Sequence, residues 1–220
     1  MTMINEQFFI RGLSVVSVLM AIILSGCFSV PDSGSKFGLK LVPKLGPKAV
    51  PAQTDKTGNH RSPFIVVNIS KQKLFLMNKG KIIRSFDVST AYHGIGNKSG
   101  SHKTPLGKHR IKYKIGDGVP IGGIFKGRKY IHQIATIHKD KTDIPEDLIT
   151  TRILSLEGLE PGLNKGKGID SFERHIYIHG TSEEGLIGHP ASEGCVRMRN
   201  ADVLALYNLV HEGTLVYIQK

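Results

Sequence analysis

Ile178-His179-Gly180-Thr181, followed by Ser192-Glu193-Gly194-Cys195-Val196-Arg197-Met198, is the stretch on which the reading of this chain turns. Cys195 is the one cysteine outside the N-terminal segment, and His179 lies sixteen positions upstream of it. A thiol and an imidazole are the minimum set for thiolate catalysis, because the imidazole takes the thiol proton and later protonates a leaving amine. Glycines beside both residues fit a backbone that comes close to a substrate. The pattern predicts acyl transfer at a carbonyl. His179 ends an alternating segment from His175, so it is expected where a strand runs into a loop, the usual place for a catalytic side chain.

Working outward, Ala201 to Glu212 reads as the clearest helix. Asn200 is expected to cap it, Asp202 lies in its first turn, Gly213 can end it, and Val203, Leu204, Leu206, Tyr207 and Val210 give a core-facing stripe. Thr214 to Ile218 follows as a strand. Upstream, Phe64 to Ile69, Lys73 to Met77 and Lys81 to Val88 read as an antiparallel meander with a turn at Asn78-Lys79-Gly80. Lys108 to Lys114, Tyr130 to Ile137 and His175 to His179 are further strands, and Ser89 to Gly107 is a long loop. Short helices are expected near Asp143, with Pro145 in the first turn, and over Ser182 to Leu186. The fold class is therefore mainly β with a few helices, over 62–220.

The remainder reads as export and attachment. Arg11 closes a short n-region, and Leu13 to Leu24 is a twelve-residue run, apolar but for Ser14 and Ser17. That is short for a membrane span and right for a signal h-region. It ends in Leu24-Ser25-Gly26-Cys27, which resembles the bacterial lipobox. The resemblance implies a signal peptide over 1–26 and a lipidated Cys27, against the plainer reading of an ordinary signal peptide or signal anchor. From 27 to 61 the chain is rich in Pro, Gly and Lys, as expected of a tether to a membrane, or of an arm packed on the domain. With Cys27 consumed by lipid, Cys195 is a lone thiol in an exported protein and not half of a disulfide.

The 220 residues carry a formal net charge of +12, which favours a polyanionic partner such as an acidic wall polymer, or else simply keeps the surface soluble. The basic residues are scattered and there is no Trp, so nucleic-acid binding is not expected. No Cys-x-x-Cys pair occurs, and neither a metal nor a cofactor is expected. Gly94-x-Gly96 and Gly166-x-Gly168 lack a following phosphate-binding helix and read as turns. Arg197 and the histidine are expected to lower the Cys195 pKa, with Glu193 pointing to solvent. No carboxylate stands out as a partner for His179, since Glu183 and Glu184 read as exposed, so a backbone carbonyl, that of Gly180, is expected to orient the imidazole.

His179-Gly180-Thr181, with Ile187-Gly188-x-Pro190-x-Ser192-x-Gly194-Cys195-Val196-Arg197-Met198, resembles the active-site signature of the L,D-transpeptidase (YkuD-like) catalytic domain. Lys103-Thr104-Pro105-Leu106-Gly107 and Asp170-x-x-x-Arg174-x-Ile176-Tyr177-Ile178-His179 are similar to two further elements of that family, and the resemblance covers about residues 63 to 219. Glu193 departs from it, since His or Lys is commoner there. The resemblance implies a β-rich, sandwich-like domain acting on peptidoglycan stem peptides. Cys195 would attack the carbonyl before the terminal D-Ala, and His179 would act as base and then acid. Ser192 would shape the turn, and the N–H groups of Gly194 and Cys195 would hold the oxyanion. Arg197 would hold a stem carboxylate or fix the turn. An amine acceptor would complete a 3-3 cross-link. Hydrolysis by an L,D-carboxypeptidase or amidase, and a non-catalytic wall-binding lipoprotein, are the alternatives. Carbapenem β-lactams are the implied inhibitors. The implied place is the cell envelope, on the periplasmic side. Phe28 after Cys27 favours the outer membrane where the organism has one.

Overall fold

The computed structural model describes residues 62–220. The h-region, the lipobox at Cys27 and the tether to residue 61 lie outside the described residues. Ten strands run in chain order. They are β1 (Phe64–Asn68), β2 (Lys73–Asn78), β3 (Lys81–Ser89), β4 (Gly107–Ile115), β5 (Gly123–Lys126), β6 (Lys129–Ile134), β7 (Ile149–Gly158), β8 (Tyr177–Thr181), β9 (Val196–Met198) and β10 (Leu215–Gln219). One α-helix, α1 (Asn200–Leu209), is the only one among the described residues, with a 3-10 turn at Glu184–Leu186.

The meander β1–β2–β3 is antiparallel as its alternation predicts, and Lys79 and Gly80, at φ 48° and 73°, make its turn. The strands form one sheet in the order β4-β10-β1-β2-β3-β9-β8-β7-β5-β6, and β4 also pairs with β7. That extra pairing wraps the sheet back on itself, so its layers belong to one sheet. In the larger of two buried clusters, Ile65, Leu74, Val88, Ile111, Leu154 and Ile178 pack with Val203, Leu206 and Val210 of the helix segment. Each such large aliphatic side chain contributes about 1.5–3 kcal/mol relative to exposure.

Several expectations change. The stretch near Asp143 and Pro145 is bends without a helix. Ser182 to Leu186 shortens to the 3-10 turn, and α1 ends at Leu209, well before Gly213. Asn200 does not cap α1 through its side chain; the N-cap position is Arg199. Instead the Asn200 side chain turns inward, where Nδ2 donates to Thr181 O at 2.8 Å and Oδ1 accepts from Thr150 Oγ1 at 2.7 Å. The carboxylate of Glu184 does the capping, accepting from Asn200 N at 2.8 Å.

Candidate active site

β8 and β9 run side by side in parallel, with His179 opposite Arg197 and Ile178 opposite Val196. Strand alternation splits their side chains between two faces. Ile178, Val196 and Met198 face the core, while Tyr177 and Cys195 pack on the other side with Ile153 and Phe125. His179 and Arg197 share that second face by register. The structure thus brings Cys195, the residue just before β9, onto the same face of the sheet as His179 on the neighbouring strand.

The imidazole is fully buried and its Nδ1 lies 2.7 Å from Gly180 O. A carbonyl only accepts, so Nδ1 carries the hydrogen and Nε2 keeps a lone pair able to take a proton. The Gly180 carbonyl thus fixes the tautomer of the ring. Gly180 must be glycine for a packing reason, because a Cβ there would stand 2.6 Å from Asn200 Oδ1 and 2.8 Å from Thr150 O. Burial holds the His179 pKa below its ordinary value, while the Asp147 carboxylate and the Gly180 carbonyl pull it up.

Cys195 corrects one expectation. Burial pushes its thiol up to about 12, and the Asp147 carboxylate adds to the rise. The Tyr177 N–H, Arg197 and Arg174 oppose this without prevailing. Its Sγ donates to His175 O at 3.3 Å and accepts from Tyr177 N at 3.4 Å. No hydrogen bond joins it to His179. The resting group is a neutral thiol and not a stored thiolate.

The turn that presents Cys195 is braced from within and from without. Ser192 Oγ donates to Cys195 O at 2.6 Å and accepts from Gly194 N at 3.3 Å. The Gly194 N–H expected to face an oxyanion is thus turned toward Ser192. Thr104 Oγ1 donates to Gly194 O at 3.1 Å and accepts from Ala91 N at 3.0 Å. Arg174 Nη2 donates to Lys103 O at 2.7 Å, which ties the lead-in to His179 to the Lys103–Gly107 element. Glu193 points outward as expected, with 68% of its side chain exposed, 3.7 Å from His102.

Arg197 and Glu183 depart furthest from the sequence reading. Arg197 has 3% of its side chain exposed and pairs with Glu183 at 2.8 Å and Asp147 at 2.9 Å. It is committed to the fold and is not free to hold a stem carboxylate. Glu183 is fully buried, not exposed, because it answers this charge and also accepts from Ile144 N at 2.8 Å. Burial raises its pKa, and Asp143 nearby acts in the same direction. Asp147 was not foreseen. It lies on the segment between β6 and β7, and no short-range motif links it to His179 in sequence.

A cavity of about 620 Å³ opens beside this turn, lined by Tyr92, Asp143, Asp147, Pro190, Ser192 and Arg197 among others. His175 and His179 are four apart, a ligand pair on a helix, but here His175 is exposed while His179 is buried at a strand. Among the described residues no group of three or more His, Cys, Asp or Glu is placed to hold a metal ion.

The YkuD family model, described as an L,D-transpeptidase catalytic domain, matches residues 62–218. A protein named L,D-transpeptidase YkuD from Bacillus subtilis is 44% identical over 48 residues, which is 22% of this chain and 29% of that protein. Its Bacillus licheniformis counterpart is 48% identical over 46 residues, 21% of this chain and 28% of that protein. The chain thus covers less than a third of the length of either curated relative. Among solved structures, an L,D-transpeptidase from Mycobacterium smegmatis is similar with a TM-score of 0.44 and 16% identity, covering 72% of this chain and 59% of that one. L,D-transpeptidase 3 from Mycobacterium tuberculosis, in complex with a faropenem-derived adduct, has a TM-score of 0.44 and 15% identity, over 72% of this chain and 60% of that one.

Proposed function

This chain belongs to the YkuD family of L,D-transpeptidase catalytic domains, and from that premise we propose that it forms 3-3 cross-links in peptidoglycan through a thioacyl-enzyme on Cys195. The observation that carries this is the pairing of β8 with β9, which sets a thiol and a tautomerically fixed imidazole on one face beside an open cavity. Acylation begins as Cys195 leaves its bond to His175 O and passes its proton to His179 Nε2. The sulfur attacks the carbonyl of the third stem residue. The tetrahedral oxyanion is met by backbone N–H groups of the turn, with that of Gly194 released from Ser192. His179 then protonates the departing D-Ala nitrogen, and the C–N bond breaks to leave a thioester.

In the second half-reaction an acceptor amine attacks the thioester. His179 takes the amine's proton, the C–S bond breaks and Cys195 recovers its hydrogen. No step calls for a cofactor. A carbapenem offers a strained lactam carbonyl to the same thiol, so ring opening would leave a stable thioester and block the site. Lipid on Cys27 would hold the domain at the envelope membrane, facing the acidic wall polymer on the periplasmic side.

The test is incubation with disaccharide-tetrapeptide muropeptides, read by mass spectrometry, with Cys195→Ala alongside. Dimers lacking one D-Ala, absent from the variant, are expected. Tripeptide without dimer would make the enzyme a carboxypeptidase. No Cys195-dependent product would overturn the proposal. Labelled palmitate should enter the chain and be lost in Cys27→Ser.

A further inference from the structure

His179 is oriented by a neutral carbonyl, yet during acyl transfer it must carry a positive charge in a fully buried position. Orientation and charge support are separate needs, and Gly180 O answers chiefly the first. The register of β8 and β9 puts Arg197 beside His179, and a guanidinium alone would oppose an imidazolium. Arg197, however, is clamped between two carboxylates, Glu183 at 2.8 Å and Asp147 at 2.9 Å. Glu183 sits deep beneath, fully buried. Asp147 is the one on the cavity side, and its second oxygen, Oδ1, is buried without a hydrogen-bond partner. A buried carboxylate oxygen left unpaired is costly and calls for an explanation.

The segment bearing Asp147 is fixed in place. His138 N donates to Ser182 O at 2.7 Å, Gly185 N donates to His138 O at 3.0 Å, and Ile144 N donates to Glu183 Oε1 at 2.8 Å. These bonds fasten the 135–148 segment to the chain just after His179. We propose that Asp147 is a positioning residue for acyl transfer: its carboxylate, held by Arg197, offsets the guanidinium and supplies the negative charge that lets buried His179 keep the proton it takes from Cys195. The proposal rests on the reading of Cys195 and His179 as nucleophile and base. The groups acting around this pair are Arg197 on β9, Glu183 after β8, Asp143 and Asp147 on the segment, Tyr177 on β8 and Arg174 before it. Of these, Asp147 is the carboxylate that raises His179.

Two accounts of Asp147 predict opposite movements of one observable. If it supplies charge, Asp147→Asn removes the negative charge while an amide oxygen still meets Arg197, and the His179 titration midpoint moves to lower pH. If it only fastens the segment, the same change admits water, burial weakens and the midpoint moves up. Cys195 does not discriminate, because both accounts lower its midpoint. The measurement is the His179 imidazole titration by NMR in the full chain, the resonance assigned by its loss in His179→Asn. The expected result is a lower midpoint in D147N, a midpoint near wild type in D147E, and about a tenfold loss of muropeptide acyl transfer in D147N. An unmoved or raised midpoint in D147N overturns the proposal. D147S, which requires no amide fit beside Arg197, replaces D147N should the latter not fold. The titration uses no wall substrate, so a wild-type enzyme without Cys195-dependent product defeats the functional reading and leaves this electrostatic test readable by itself.

Discussion

Arg197 stands two residues after Cys195 in sequence and is buried in ion pairs in space, and the second fact governs what its removal does. Arg197→Met leaves Glu183 buried without its cation, a loss expected to cost about 3–5 kcal/mol. Urea unfolding reads it directly. A change confined to the KM for wall peptide, with stability intact, would instead return Arg197 to a substrate-binding role. Gly180→Ala is expected to act through packing, since its Cβ would meet Asn200 Oδ1 at 2.6 Å. Overpacking of this kind costs about 1–3 kcal/mol and displaces the carbonyl that orients His179, so acyl transfer should fall more steeply than stability. These two positions mark what was legible. Cys195, His179, Gly180 and Ser192 sit in two short runs whose residue types and spacing mark a candidate site. Glu183 and Asp147 were not legible, because an acidic side chain in a turn reads as solvated until its buried partner is known.

At the scale of elements, the strands that alternate were readable, while β7, which pairs with β8, and the short β9 were not. β1, β2 and β4 bury one face each, so period two shows in their sequences, whereas β3 is exposed over its first five residues. β7 is buried along nearly its whole length, including Arg152, and offers no alternation to read. β9 has three residues, too few to show a period. The helix was found from its stripe, but its capping was misassigned. Asn200 fits an N-cap by residue type, while tertiary contacts claimed its side chain and left Glu184 to satisfy the backbone. The segment between β6 and β7 has a similar lesson. It approaches the 3-10 turn at Gly185, where a Cβ would fall 1.8 Å from Asp140 O. Gly185→Ala must push that segment outward and Asp147 with it. The expected outcome is slowed acyl transfer with a stability loss of about 1–3 kcal/mol. Unchanged rates in a folded G185A would show that the segment's position does not matter to the chemistry.

At the scale of the whole molecule, stability in acid depends on where the sheet closes. β4 joins β10 on one side and β7 on the other, and His109 stands at that seam, opposite Val216 and Gly158. It is fully buried, with Nδ1 3.0 Å from Gly107 O and Nε2 2.9 Å from Ser171 Oγ. Nδ1–H donates to the carbonyl and Nε2 accepts from the hydroxyl, so the neutral ring satisfies both partners. Protonation turns the second acceptor into a donor and puts a charge in the interior. Burial accordingly lowers its pKa from 6.5 to about 4, with the Gly107 carbonyl and Glu160 opposing. A folded value below the unfolded one means that the unfolded chain binds the proton first. The stability that neutral His109 supplies is therefore complete above about pH 6.5 and drains away as pH falls through about 4. The gap between those values corresponds to about 3 kcal/mol. Urea midpoints taken from pH 7 to pH 4 should fall more steeply for wild type than for His109→Gln, whose amide can bond both partners without titrating. Parallel slopes would place the acid sensitivity in the carboxylates of the ion-pair clusters instead. Because the seam joins β4 to both neighbours, the loss should appear as cooperative unfolding of the domain and not as fraying of one edge.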